Sequence, residues 1–197
     1  MQKRLFSSML AMVVAAVGVT AAPLLVSAAD LLYVSPHDNL EAIDMTLLRH
    51  AHNTVDIAMY AFTDKKLAKE LVTLAHKGVK IRLYRDGTQL KDKGDTTATL
   101  LEVPGIEVRA KPSKFWNIQH IKGYVVDGKI LREGSANWSP AGEGASCYHG
   151  KCGHDQQQDN DILITDDKKV TRHFEANFNH IWARKSNCVD LAARACR

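Results

Sequence analysis

The sequence predicts an α/β protein built on a mixed, largely parallel β-sheet flanked by helices. Apolar runs rich in β-formers alternate with segments of helical periodicity across residues 31–84. An Asp127-Gly128 dipeptide between two further apolar runs is the signature of a tight antiparallel hairpin. The composition, 45% hydrophobic, 24% charged and 7% aromatic over 197 residues, is that of an ordinary globular chain; it excludes disordered, collagen-like and multi-span membrane classes.

Residues 1–29 are set apart from that domain. Lys3 and Arg4 form a basic start, residues 9–19 are apolar, and Val26-Ser27-Ala28-Ala29 supplies small residues where a signal peptidase cuts. The segment reads as an export signal cleaved after Ala28 or Ala29. A retained anchor is the competing reading, because residues 9–29 are nearly long enough to span a bilayer; Gly18, Pro23 and the small-residue end favour cleavage. Cleavage removes two basic residues, leaving 24 Lys and Arg against 22 Asp and Glu, and a net charge of +2 carries no argument about nucleic acid by itself. Residues 30–197 are then one catalytic domain, exported to a periplasm or secreted.

Residues 31–35 read as a strand ended by Pro36, and Leu40, Ile43, Leu47 and Leu48 as a helix behind Asp38 and Asn39 as caps. Residues 54–62 form the next strand. Thr63 then caps a helix carrying Leu67, Leu71, Leu74 and Ala75, Gly78 stops it, and residues 79–84 are a strand. Residues 85–94 read as a polar loop and 96–103 as a short helix ended by Pro104-Gly105. Residues 120–126 and 129–133 flank the Asp127-Gly128 turn, so this half of the sheet is expected to be antiparallel. A Gly-, Ser- and Gln-rich loop spans 139–158; 162–165 is a strand, and 170–183 a helix with Val170, Phe174, Phe178, Ile181 and Trp182 on one face. Trp138 and Trp182 are assigned to the core.

Four cysteines, Cys147, Cys152, Cys188 and Cys196, read as disulfides in an exported chain, and the close spacings favour Cys147 with Cys152 and Cys188 with Cys196. Metal is the competing reading, since Cys147, His149, Cys152 and His154 have the residue types of a zinc site.

The chemistry concentrates in one stretch. In extended chain, His120 and Lys122 point to one side, as do Ser135 and Asn137. Two adjacent strand ends thus offer an imidazole, an ammonium, a hydroxyl and an amide, an inventory for phosphate that includes a nucleophile. His-x-Lys-x4-Asp arises by chance in about one chain in a hundred of this length, and Gly-Ser-x-Asn at a fixed offset makes the set several thousandfold rarer, so coincidence is set aside.

The stretch HIKGYVVDGKILREGSAN resembles the His-x-Lys-x4-Asp-x6-Gly-Ser-x-Asn motif of the phospholipase D superfamily, with every fixed position filled. TVDIAMYAFTD and HKGVKIRLYRD resemble the early segments of its small exported bacterial endonucleases, which carry one motif per chain. The resemblance implies a phospholipase D-like fold and an endonuclease that cleaves DNA, and RNA as a further substrate, with little sequence preference. A lipid phosphodiesterase is the alternative, and no exposed amphipathic helix or apolar loop is seen that favours it.

His120 then attacks phosphorus to give a phosphohistidine, and a second copy of the chain supplies the acid, which makes a homodimer a requirement. Lys122, Asn137 and Ser135 hold phosphoryl oxygens in place of a metal or other cofactor. Asp127 belongs to the motif, but its position in the turn favours a structural role. Asp159-Asn160 matches the family's carboxylate-Asn pair that orients the histidine, with Asp155 and Asp161 as fallbacks; Asn160 joins the substrate-facing candidates. Lys111, Lys114, Phe115 and Trp116 interleave charge and aromatic rings just before His120. An unpaired base could stack there, with Lys114 and Trp116 binding substrate. The competing reading buries Phe115 and Trp116 in the core.

Overall fold

The structure, a computed structural model, describes residues 30–148, 151–153, 157–191 and 196. The export-signal reading falls on residues 1–29 and lies outside the described residues. β1 (Leu31–Val34) leads to α1 (Leu40–Arg49), where the Asn39 side chain accepts the Ala42 N–H as N-cap. β2 (Thr54–Met59) is followed by α2 (Lys65–His76) and β3 (Lys80–Asp86). The α2 cap is Asp64 rather than Thr63, because its carboxylate takes two orphan donors, the N–H groups of Lys66 and Leu67.

β3 runs two residues further than expected and buries Arg85 and Asp86. The helix expected at 96–103 contracts to a 3-10 turn at Thr97–Thr99, and another turn lies at Gln89–Lys91. β4 (Ile106–Lys111) was not foreseen; it is half exposed, so its apolar signal is weak. β5 (Lys122–Val126) and β6 (Ile130–Gly134) form the expected hairpin. β7 (Cys147–Tyr148) and β8 (Lys151–Cys152) pair in the loop, and β9 (Asp161–Thr165) precedes α3 (Lys168–Trp182).

Seven strands form one sheet in the order β1-β9-β6-β5-β2-β3-β4. The sheet is mixed as expected, and β1, β2, β3, β4 and β6 run in one direction against β5 and β9. Its parallel ladders, however, are confined to β2-β3 and β3-β4, the other four being antiparallel. The cause is the first β-α-β step: β1 does not lie beside β2 but crosses to the far edge and pairs antiparallel with β9.

Strand alternation divides the core into two layers. Val55, Ile57 and Met59 of β2 pack with Leu48, Leu67, Leu71 and Trp138 beneath α1 and α2. Ala58 faces the other way, onto Tyr84, Phe178, Ile181 and Trp182 under α3. Val170, expected on the buried face of α3, is instead exposed in its first turn.

Cys188 is bonded to Cys196 as expected, and the Cys188 backbone bridges Ala110 of β4. Cys147 is disulfide-bonded, which removes it from the zinc set. Its backbone stands opposite Cys152, whose side chain, with His149 and His154, lies outside the described residues.

Candidate active site

The β5–β6 hairpin decides what the motif residues can reach. Asp127 and Gly128 sit at φ 52° and 65°, both left-handed, as a type I′ turn requires. The Asp127 carboxylate accepts the N–H groups of His52 (2.9 Å), Asn53 (2.7 Å) and Thr54 (2.8 Å) and so pins the turn to the start of β2. Burial raises its pKa, but the three backbone donors outweigh that and leave it below the usual carboxylate range. The whole of β5 separates Asp127 from His120, about 20 Å at ~3.3 Å per residue. Asp127, counted among the catalytic candidates, is therefore a pin of the fold.

At the other end of β5, His120 is exposed while Lys122 is only 8% exposed. The Lys122 ammonium lies 3.3 Å from both Nδ1 and Nε2 of His120 and donates to the His120 carbonyl at 2.9 Å. Burial lowers the His120 pKa and the Lys122 charge lowers it further, against an opposing pull from Asp86. Burial also lowers the pKa of Lys122. The imidazole is thus biased toward its neutral, nucleophilic form.

Tyr60, just past β2, was missed by sequence reasoning. Its ring meets His120 edge-on at 4.8 Å between centroids, and the Lys122 ammonium lies 5.5 Å from its centroid. Asn137 reaches the same end, its Oδ1 accepting the Ala61 N–H at 3.1 Å. Because that N–H can only donate, the amide oxygen is committed to the scaffold and the NH2 group remains a donor for an anion.

Asp86 falls in the stretch that the sequence reads as a polar loop, but the structure places it at the end of β3. Its buried carboxylate accepts the Gln119 N–H at 2.7 Å, the Thr88 N–H at 2.9 Å and the hydroxyls of Ser113 and Thr88, fixing both ends of the segment that leads into His120. Burial pushes its pKa up, and these donors together bring it below the ordinary value.

A second set of buried groups holds the two motif strands together. The fully buried Arg132 donates to the carbonyls of Lys122 (2.9 Å) and Ala136 (3.3 Å), and pairs with Asp44 of α1 (2.8 Å) and Glu143 (3.3 Å). Asp44 also accepts from Tyr124 Oη (2.9 Å) and Trp138 Nε1 (2.8 Å). Burial, and then the Asp44 charge, push the Glu143 carboxyl well above its usual range. Nothing in the sequence near Arg132 marks this role, since its partner Asp44 lies 88 residues away.

Other candidates are placed elsewhere. The Ser135 hydroxyl donates to the Asp161 carboxylate and accepts the Asp161 N–H at 2.9 Å, so it is engaged in clamping β6 to β9. Gly134 permits that clamp, since a Cβ there would stand 2.3 Å from the Asp161 carbonyl. Asp159 is exposed and accepts from Gln157 Nε2 at 3.2 Å; no carboxylate among the described residues is hydrogen-bonded to His120. Asn160 donates to the Gly142 carbonyl at 2.8 Å and, through its backbone, to Ser35, anchoring the long loop rather than facing the site. Asp155 lies outside the described residues. Phe115 and Trp116 are 83% and 95% exposed, which removes the core reading.

Residues 45–182 match a family model described as cardiolipin synthase, PLD-like domain. The mitochondrial cardiolipin hydrolase of Xenopus tropicalis is 26% identical over 138 residues, covering 70% of this chain and 59% of the relative. That of Drosophila melanogaster is 28% identical over 149 residues, covering 66% and 53%. The chain spans little more than half the length of these curated relatives. Among solved structures, NucT from Helicobacter pylori superposes with a TM-score of 0.66 at 22% identity, covering 79% of this chain and 96% of that one. A phospholipase D family member, Nuc from Salmonella typhimurium, gives 0.64 at 21% identity, covering 79% and 94%. These likenesses bear on the fold, and they agree with the mixed sheet described above.

Proposed function

The chain belongs to the phospholipase D-like family, and from that premise we propose that it is a phosphodiester hydrolase acting on nucleic acid through a phosphohistidine. The observation that carries the reading is the exposed His120 imidazole, biased neutral, with the Lys122 ammonium 3.3 Å from both its nitrogens. In the first step a ring nitrogen forms a bond to phosphorus while the bond to the leaving oxygen breaks. Lys122 and the Asn137 NH2 group stabilise the charge that gathers on the phosphoryl oxygens.

The leaving oxygen needs a proton, and the motif occurs once in the chain. His120 of a second copy is the donor in this reading, holding a proton once the anionic phosphodiester lies between the two rings; after giving that proton up, it takes one from the water that attacks phosphorus and releases His120. The working unit is therefore a homodimer. The Cys188–Cys196 bond and the disulfide at Cys147 support export to an oxidising compartment. Among the described residues no helix is long and apolar enough to cross a membrane.

A lipid phosphodiesterase is the second reading, favoured by the name of the cardiolipin hydrolases to which the chain is similar. Both are tested by incubating the purified protein in excess EDTA with plasmid DNA, RNA and cardiolipin vesicles, with His120→Ala alongside. Cleavage of nucleic acid by wild type alone is expected, with a dimer on a sizing column. Lipid turnover without nucleic-acid cleavage would transfer the function to the second reading.

A further inference from the structure

The segment between β4 and His120 folds back on itself as a short arm that the phosphoryl chemistry does not use. Lys114 bridges Asn117, and Phe115 at the tip holds φ 53°, a conformation that a bulky L-residue adopts only at a cost. The arm keeps that conformation because its base is fastened. Lys111 Nζ donates to the Ile118 carbonyl at 3.0 Å, and the Asp86 carboxylate binds both Ser113 and the Gln119 N–H. Two aromatic rings are thereby held in solvent, where burial gives them nothing. Such an expense in strain and exposed apolar surface calls for an occupant.

Three observations select its chemistry. Trp116 lies four residues before His120, so at most ~14 Å of chain separates the rings from the nucleophile. Lys114 folds its ammonium 5.4 Å from the Phe115 centroid, and the exposed Lys91 and Lys93 follow the C-terminal end of β3, the end of the sheet at which Lys122 begins β5. Flat aromatic faces interleaved with cations suit unpaired bases strung on a phosphate chain. A bilayer would need a broader apolar surface; the exposed Leu31, Leu32 and Val34 that could extend one belong to β1, at the opposite edge of the sheet.

We propose that the Phe115–Trp116 arm is a stacking platform for an unpaired base beside the scissile phosphate, which makes the substrate a single strand. The proposal rests on the nucleic-acid reading above and specifies its substrate.

Trp116 supplies its own reporter, since Trp138 and Trp182 are buried. Oligothymidylate added to His120→Ala, which binds without turnover, is expected to quench the exposed tryptophan emission, and Trp116→Ala to abolish the quench. In otherwise wild-type enzyme, Trp116→Ala should raise KM for the single strand about tenfold and shrink its preference over a duplex of the same sequence, with Trp116→Phe recovering most of the loss. An unchanged KM and strand preference in Trp116→Ala and Phe115→Ala, with oligonucleotide still cut, overturns the platform and spares the nuclease. A blue shift with cardiolipin vesicles and none with oligonucleotide overturns it in favour of a membrane contact. Wild-type hydrolysis of bis(p-nitrophenyl) phosphate with no cleavage of any oligonucleotide sinks the nuclease reading and the platform with it.

Discussion

The Lys122 ammonium stands 3.3 Å from both ring nitrogens of His120. A cation so placed disfavours a second positive charge on the ring, and partial burial acts in the same direction. The neutral ring that these surroundings favour is the form in which an imidazole can act as the nucleophile of the proposed reaction.

It follows that His120 of the substrate-free chain titrates below the ordinary histidine value of 6.5. The histidine ring protons followed by NMR across pH 4–8 report this directly. Lys122→Met should raise the His120 midpoint by removing the like charge, without returning it fully to 6.5, since burial is the larger cause and remains. A midpoint unmoved in the variant would show that the ammonium is not felt by the ring.

Asp127 offers a contrast between a motif position and a catalytic one. Asp127→Asn keeps a side chain that tolerates the left-handed turn but loses the charge that three N–H groups share. The expected cost is about 1–2 kcal/mol, a fall in Tm of about 2–8 °C, with kcat unchanged. The sign with pH follows from the depressed pKa. The carboxylate's contribution is complete above the unfolded value near ~4 and is lost as pH falls through the folded one, so the gap between variant and wild type should close in acid. A loss of turnover at full stability would return Asp127 to the site.

The buried charges beneath the motif strands predict a coupling. Arg132→Met leaves Asp44 without its partner in a fully buried position and frees the carbonyls of Lys122 and Ala136. Breaking such a pair costs about 3–5 kcal/mol. Adding Asp44→Asn should recover part of that, because the orphaned charge is the larger share of the penalty. Urea denaturation of the two single variants and the double variant measures it, and simple additivity would show that Asp44 and Arg132 are not a unit.

The chain announced the site where residue type and spacing coincide: His120 and Lys122 stand together, as alternation along extended chain requires, and Asn137 reaches the same end of the sheet, but Ser135, expected on the side of Asn137, turns to Asp161 because the chain leaves β6 at Gly134. It was silent where the partner is remote. Nothing local to Asp44 marks it as the anchor of Arg132, 88 residues away. The Asp86 carboxylate was hidden by taking β3 to end two residues early, and β4 by its half-exposed pattern. The first β-α-β step misled for the same reason: adjacency in sequence does not fix adjacency in the sheet, and β1 found its partner in β9.

Tyr60 tests how far the imidazole depends on its neighbours. Its ring meets His120 edge-on at 4.8 Å, while its hydroxyl is occupied by Gln89 Nε2 at 2.9 Å. The contact that orients His120 is therefore made by the ring, and the phenol serves the adjacent turn. An exposed imidazole without that wall samples other rotamers, and misplacement of a nucleophile is felt in the transition state more than in binding. Tyr60→Ala should lower kcat about tenfold with KM little changed, whereas Tyr60→Phe, which keeps the ring, should retain most activity and lose only the Gln89 hydrogen bond. Equal losses in both variants would move the role from the ring to the hydroxyl, and equal retention would leave His120 positioned by Lys122 and its own backbone alone.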